Sequence, residues 1–484
     1  MSNLKFRIQP ISRYGFGVLA LLIWLYLSGC SGKPVVLAQG ESSPRKVILI
    51  IGDGMDDNQI TIARNYLVGA RGKLVLDSLP HRSAVQVLTV SEENPEQPIY
   101  VADSASSATA MATGTATSRG RIATTAKNDQ DIPTIIELAV RSGLKTGVVT
   151  TASITDATPA SFVAHVNHRG CQGPNEMVGS IAFGGVISSC GADFKANGGA
   201  GSIAEQIADS SVDILLGGGL KYFQQPVEGY RSTDDTVLSL AESNGFHVIT
   251  AKTGLGKLSH EDKVLGLFSH STLPVRLIGE DGRKAELVGR DQNEYVLLPS
   301  PFACENNPNH SNVPSLLQMT EFALGHLSRD SDLGFLLVIE SASIDKESHE
   351  RRTCGHIGET QQLNQALAAA LEFSETHPET LIMVTADHGQ AAQLIPQQSV
   401  FLPIDESVHS PGYVARVKTL EDALMGVNYA TNNFARMGEH TGVQVPLYAS
   451  GPGVNELPSF ILQTEIFSII ANYLRLIPPG SIAQ

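Results

Sequence analysis

The chain runs to 484 residues, 42% of them hydrophobic and 17% charged, with a formal net charge of −15 at pH 7. Enough apolar side chain is present to bury a large core, which excludes a disordered or low-complexity protein. The acidic balance excludes nucleic acid as a specific partner, because a phosphate backbone binds through concentrated positive charge.

At the N-terminus, Lys5, Arg7 and Arg13 precede a 12-residue apolar run, residues 16–27, and then Ser28-Gly29-Cys30. A basic segment, a short hydrophobic stretch and small residues form the pattern of an export signal. The run is shorter than the roughly 20 residues a membrane-spanning helix needs. Leu27-Ser28-Gly29-Cys30 resembles the bacterial lipobox, which implies a lipoprotein signal peptide over residues 1–29 and a lipid on Cys30. The alternative is an ordinary secretory signal with an incidental cysteine. Residues 30–45, with their Gly, Ser and Pro, read as a flexible tether, and residues 46–484 as one large folded domain. Ser31 resembles a signal for sorting to the outer membrane, so a periplasmic or cell-surface location is expected. Loss of residues 1–29 removes three basic residues and no acidic ones, leaving 31 − 49 = −18. Four cysteines then remain, Cys171, Cys190, Cys304 and Cys354, an even number in an exported chain. Two disulfides are expected. Sequence allows three pairings, of which the sequential one is our expectation; a competing reading makes Cys354 a zinc ligand.

In chain order, residues 47–51 read as a buried strand and 57–68 as a helix. At Asp103-Ser104 a run of small residues predicts a closely packed helix reaching to Gly114. Ser104 falls at its N-terminus, where backbone N–H groups and the dipole favour a phosphate, although a capping serine is the commoner reason for such a residue. A helix over 132–142 is stopped by Gly143, and a strand follows over 146–150. Residues 212–216 read as a strand ending in Gly217-Gly218-Gly219, a tight turn, since the Lys-Ser/Thr of a phosphate-binding loop is missing. Residues 225–330 and 390–435 read as insertions or rim loops. The apolar run 335–339 is a strand that delivers Glu340, and a helix is expected over 359–374. A last strand, 381–385, ends at Asp387-His388. Strand followed by helix, repeated, predicts an α/β fold with a mostly parallel central sheet and helices on both faces. Ligands in such folds bind beyond the carboxyl ends of the strands, where Asp53, Glu340, Asp387 and His388 all fall.

Asp345 and His349 lie four residues apart, so a helix would put a carboxylate and an imidazole on one face. That pair suits zinc, but at this spacing it is more often a solvated helix surface. Six segments together carry more weight: Ile51-Gly52-Asp53-Gly54-Met55, Asp103-Ser104-Ala105, Asp156-Ala157-Thr158-Pro159-Ala160 with Arg169, Glu340 through Asp345-Lys346 to His349, Thr385-Ala386-Asp387-His388, and Glu439-His440-Thr441-Gly442. In order and spacing they resemble the bacterial alkaline phosphatases, from about Lys46 to near the C-terminus. The resemblance implies one zinc on Asp345, His349 and His440, a second zinc on Asp53, Asp387 and His388, and a magnesium on Asp53, Thr158 and Glu340. It implies Ser104 as the nucleophile of a phosphoserine intermediate, Arg169 gripping phosphate, Asp103 orienting Arg169, and Asp156 and Lys346 around it, with Lys346 reaching phosphate through water. A homodimer is implied as well. The other histidines match no ligand position and read as surface or hydrogen-bonded residues.

Two residues depart from the family's pattern. Gln390 stands where well-known members have a histidine, and Asp56 replaces a glycine. The activity implied is broad hydrolysis of small phosphate monoesters with an alkaline optimum. A phosphodiesterase or sulfatase-like relative is the enzymatic alternative, disfavoured by Arg169, Thr158 and Glu340. A non-catalytic metal- or phosphate-binding lipoprotein is the other, disfavoured by an intact Ser104.

Overall fold

Successive side chains of a strand point to opposite faces, so a strand buried at every position must be covered on both. Strand β1 (Arg45–Gly52) meets that condition from Lys46 onward, with Val47 to Ile51 fully buried. This computed structural model describes residues 44–178, 180–181, 187–188, 190–227, 235–256, 263–329, 331–401, 407–432 and 436–476. The expected signal peptide, Cys30 and nearly all of the tether lie outside them.

Nine more strands join β1: β2 (His81–Gln86), β3 (Lys145–Ser153), β4 (Ile214–Gly218), β5 (Phe246–Ile249), β6 (Lys263–Leu267), β7 (Gly334–Ser341), β8 (Thr380–Ala386), β9 (Val445–Ser450) and β10 (Phe460–Leu462). Their order across the sheet is β10-β2-β9-β8-β1-β7-β3-β4-β6-β5. All neighbours run parallel except where β9 meets β8 and β2. Helices α1 (Asp57–Val68), α2 (Ser104–Thr113), α3 (Ala157–Val163), α4 (Leu316–Leu327), α5 (Ser343–His349), α6 (Thr353–Thr376) and α7 (Glu465–Leu474) surround it. Of these, α6 packs on β1, β7 and β8, and α7 packs on β1 and α2. The fold is thus α/β with a mostly parallel ten-stranded sheet.

Register places the site. Gly52 at the end of β1 lies level with Ser341 of β7 and Ala386 of β8, while Glu340 pairs with Thr150 of β3. Three adjacent strands, β8, β1 and β7, therefore stop at one edge, and the residues that follow emerge side by side.

Several expected boundaries move. The helix expected over 132–142 spans Ile135–Arg141, because Thr134 rather than a residue before Pro133 caps it, in a reciprocal pair with Glu137. Helix α6 begins at Thr353, six residues before the expected start. Its first turns contain Gly355 and Gly358, poor helix formers that close packing requires: a Cβ on Gly355 would lie 2.0 Å from Glu347 Oε2, and one on Gly358 2.8 Å from Leu277 N. The region expected to hold insertions or rim loops is more ordered than its periodicity suggests. Strands β5 and β6 extend the central sheet, and helix α4 carries a Ser315/Gln318 capping box. A separate antiparallel sheet forms from Glu286–Leu287, Tyr413–Lys418, Leu424–Asn428 and Gln393–Ile395 over its own core of Phe302, Val417, Val427 and Tyr429. Disulfides join Cys171 to Cys190 and Cys304 to Cys354, the sequential pairing, so Cys354 is committed to sulfur rather than to a metal.

Candidate active site

Ser104 is the first residue of α2, and the cap is Asp103, whose Oδ1 accepts the Ser106 N–H at 3.0 Å. With capping done by its neighbour, the Ser104 hydroxyl is left to face inward, 3.2 Å from His388 Nε2 and 3.4 Å from Asp53 Oδ1. Asp53 follows β1, and Asp387 and His388 follow β8. These three offer donor atoms within 4.8 Å of one another, and so do Asp345, His349 and His440. Helix α5 supplies Asp345 and His349, four residues apart as the spacing predicts, and His440 arrives from a loop just before β9.

The donor chemistry fits cations. His349 Nδ1 points to the Gly438 carbonyl at 2.7 Å, His440 Nδ1 to the Ala102 carbonyl at 2.8 Å, and His388 Nδ1 to the Gly389 carbonyl at 3.2 Å. A carbonyl can only accept, so each Nδ1 holds a proton and Nε2 is the nitrogen free to turn a lone pair to a cation. The Nε2 atoms converge: His349 Nε2 lies 3.0 Å from His440 Nε2, and both are 3.3 Å from Asp345 Oδ1. In the other cluster Asp387 Oδ1 accepts the N–H groups of Gly54 and His388, both at 2.9 Å, whereas its buried Oδ2 has no hydrogen-bond donor. Electrostatics agree. Burial, then the carboxylates of Asp345 and Asp387, push Asp53 well above the usual carboxylate range. Burial works against a charge on His440, but Asp345 overrides it and lifts the imidazole to about 9. A proton there occupies the place of a cation among converging anionic and lone-pair donors. His388, by contrast, is lowered by burial to about 4, so its imidazole is neutral.

A third set of donors contains only oxygen. Glu340, the next-to-last residue of β7, adds its charge to those acting on Asp53 and is itself pushed up to about 7, chiefly by burial, with a Thr150 hydroxyl hydrogen bond opposing. Thr158 of α3 buries an Oγ1 that completes no well-formed hydrogen bond, although it is close enough to lower the Glu340 pKa. Buried oxygen donors left open in this way suit a hard cation such as magnesium.

Arg169 stands between two carboxylates, Nη1 at 3.2 Å from Asp103 Oδ2 and Nη2 at 3.2 Å from Asp156 Oδ1. Asp156 caps α3 and also receives Lys346 Nζ at 2.7 Å, so one carboxylate both starts the helix and pairs with two cations. Burial alone would raise Asp156, but Lys346 and Arg169 bring its carboxyl far below the ordinary range. Burial would likewise raise Asp103, and Arg169 leaves it below its usual value.

The sequence pattern of the alkaline phosphatase family matches residues 44–408. The chain belongs to the alkaline phosphatase family. It hydrolyses phosphate monoesters and depends on divalent metal ions, as alkaline phosphatases do. It is 38% identical to a streptomycin-6-phosphate phosphatase of Streptomyces griseus, over 90% of this chain and 92% of that protein. It is 36% identical to an alkaline phosphatase of Escherichia coli (strain K12), over 87% and 84%. In fold it is similar to the alkaline phosphatase of the Antarctic bacterium TAB5, with a TM-score of 0.63 at 24% identity, covering 90% of this chain and 98% of that one. The alkaline phosphatase of Thermus thermophilus gives a TM-score of 0.64 at 18% identity, over 90% and 92%.

The two departures from the alkaline phosphatase pattern meet in the structure. Gln390 Nε2 donates to Asp345 Oδ1, and the Gln390 N–H donates to Asp56 Oδ2 at 3.3 Å. Asp56 also caps α1, accepting from Asn58 N at 2.8 Å and Gln59 N at 3.2 Å. Sequence reasoning missed Thr150 and the carbonyls of Ala102, Gly389 and Gly438, which orient Glu340 and the three imidazoles. Carbonyls leave no mark in a sequence, and Thr150 is brought to Glu340 only by the register of β3 with β7.

Proposed function

We propose that the chain is an exported, lipid-anchored phosphomonoesterase that carries the phosphoryl group through Ser104. The observation behind this reading is the inward Ser104 hydroxyl, 3.2 Å from His388 and 3.4 Å from Asp53, beside an Asp103 that holds Arg169. Asp345, His349 and His440 would hold one zinc, Asp53, Asp387 and His388 a second, and Asp53, Thr158 and Glu340 a magnesium, which matches imidazole and carboxylate to zinc and oxygen alone to magnesium. Bound there, the ions supply positive charge that acidifies a serine hydroxyl and a water and offsets the charge of the phosphate.

Ser104 Oγ, having lost its proton, attacks phosphorus. The Oγ–P bond forms as the bond from phosphorus to the ester oxygen breaks, and the alcohol leaves with a proton. Water then cleaves the phosphoserine, restoring the hydroxyl and releasing inorganic phosphate. The planar fork of Arg169 pairs with two phosphate oxygens while Asp103 and Asp156 keep it oriented. Lys346, paired with Asp156, reaches the phosphate through water. Every one of these groups addresses the phosphate and none the alcohol, which supports broad substrate tolerance. Withdrawal of protons favours both the serine alkoxide and hydroxide, so the optimum lies above neutrality. Residues 1–29 are the signal peptide, Cys30 the lipid anchor, 30–45 the tether and 46–484 the catalytic domain, which acts as a homodimer.

Hydrolysis of an aryl phosphate monoester, the matching diester and an aryl sulfate at alkaline pH tests the reading. Monoester turnover that is abolished by EDTA and by Ser104→Ala is expected. Turnover that survives either, or a preference for diester or sulfate, would overturn it.

A further inference from the structure

Arg351 is an unusual residue for its place. It follows α5 with φ +59°, a left-handed conformation in which glycine or asparagine is the common choice after a helix. It is nonetheless an arginine, and only 3% of its surface is exposed. The backbone there closes a tight reversal, Arg351 N–H donating to the Ser348 carbonyl at 3.0 Å and Arg352 N–H to the Glu347 carbonyl at 2.7 Å. The side chain turns back over this reversal. Its guanidinium stands 4.1 Å from the ring centroid of Tyr413, and Nη2 donates to the Met437 carbonyl at 2.6 Å.

Met437 begins the segment that ends in His440. The next residue, Gly438, donates its N–H to the His349 carbonyl at 2.8 Å and accepts His349 Nδ1 at 2.7 Å. A Cβ on Gly438 would lie 3.3 Å from the Ser348 carbonyl oxygen, so the segment lies close against the end of α5. Three hydrogen bonds therefore join residues 437–438 to residues 349–351, and only the one from Arg351 comes from a side chain that is not itself a metal-type donor. The two imidazoles they bring together come from segments about ninety residues apart in sequence, with Nε2 atoms 3.0 Å apart.

We propose that Arg351 is a positioning residue: from its left-handed backbone it clamps the Met437 carbonyl and so holds His440 and His349 converged on one cation. The proposal rests on Asp345, His349 and His440 being a metal site. A cation whose ligands must be gathered from a drifting loop binds more weakly, because the ordering is then paid out of the binding free energy. Groups that orient metal ligands are typically worth 10–100-fold in affinity.

Metal-stripped full-length enzyme, Arg351→Gly and Arg351→Lys are titrated with zinc against a chromophoric chelator, with His440→Ala as the reference for loss at this cluster. Glycine tolerates the left-handed backbone, which guards against misfolding, and lysine keeps the charge and one donor. In Arg351→Gly the zinc that His440→Ala loses should bind about 10–100-fold more weakly, the other zinc should change less than about 2-fold, and Arg351→Lys should recover part of the loss. Equal weakening of both zincs, or unchanged affinity at both, would overturn the proposal while leaving the metal reading intact. Wild-type enzyme that takes up no zinc dependent on His440 would overturn the metal reading and the proposal with it.

Discussion

Glu359 is buried within α6, 1% exposed, and its backbone carbonyl accepts the Ser341 hydroxyl at 3.0 Å, next to Glu340. Its Oε1 accepts Arg276 N–H at 3.1 Å and Gln362 Nε2 at 2.8 Å, but burial still pushes its carboxyl up to about 7 from an ordinary 4.5. The folded chain thus keeps a proton that the unfolded chain has already released. Its contribution is fully present below about pH 4.5 and is lost as pH rises towards 7, after which the ionised carboxylate is a constant burden. A separation of about 2.5 pH units at about 1.4 kcal/mol each gives roughly 3 kcal/mol. Glu359→Gln keeps the shape and an Oε1 acceptor but never ionises. Denaturant unfolding of the metal-stripped, disulfide-intact proteins should show similar stability near pH 5, with the variant gaining about 2 to 3 kcal/mol by pH 8.5. A difference that does not change with pH would refute the reasoning, since it would mean that Glu359 ionises alike in both states.

His440→Ala should deplete one zinc selectively and leave the site of Asp53, Asp387 and His388 loaded, as zinc content per chain after dialysis would read out. Glu340, with a carboxyl raised to about 7 before metal binds, and Asp53, raised by burial and neighbouring carboxylates, must lose any proton they hold to become ligands, so magnesium affinity should rise by at least about tenfold per pH unit below 7; calorimetric titration from pH 6 to 8.5 would reveal a flat profile if that is wrong. Replacing Cys304 and Cys354 by alanine opens a loop of sequence separation 50 and should lower stability by about 4 kcal/mol in the chain-entropy model, measured as the loss in unfolding free energy. Cys30→Ala should move the enzyme from the membrane fraction to the soluble one without changing its turnover of an aryl phosphate.

Much of the fold was legible because buried parallel strands are short unbroken apolar runs and their ends are marked by the residues that follow. Residues 47–51, 335–339 and 381–385 each read as strands and each became one, and α1 lies where the amphipathic pattern placed it. Strands β5 and β6, the last two on one side of the central sheet, and the small antiparallel sheet were not legible, since brief apolar segments between polar turns look like loops until a partner pairs with them. The early start of α6 was hidden for a related reason: its two glycines are there for contacts with Glu347 and Leu277, and propensity alone argues against them.

The residues proposed for the site were legible as a set of segments whose order and spacing resemble a family pattern: Asp53, Ser104, Arg169, Glu340, Asp345, His349, Asp387, His388 and His440. Tertiary structure alone decided how they work together. Strand register aligned the ends of β1, β7 and β8, carbonyls of Ala102, Gly389 and Gly438 chose the tautomer of each imidazole, and Asp103 took over the helix cap so that Ser104 could face inward. Gln390 and Asp56 were recognisable as departures from the sequence alone, yet their contact with each other, and that of Gln390 with Asp345, was not. Sequence carries side-chain chemistry, whereas a hydrogen bond to a backbone group or a contact across hundreds of residues exists only after the chain has folded.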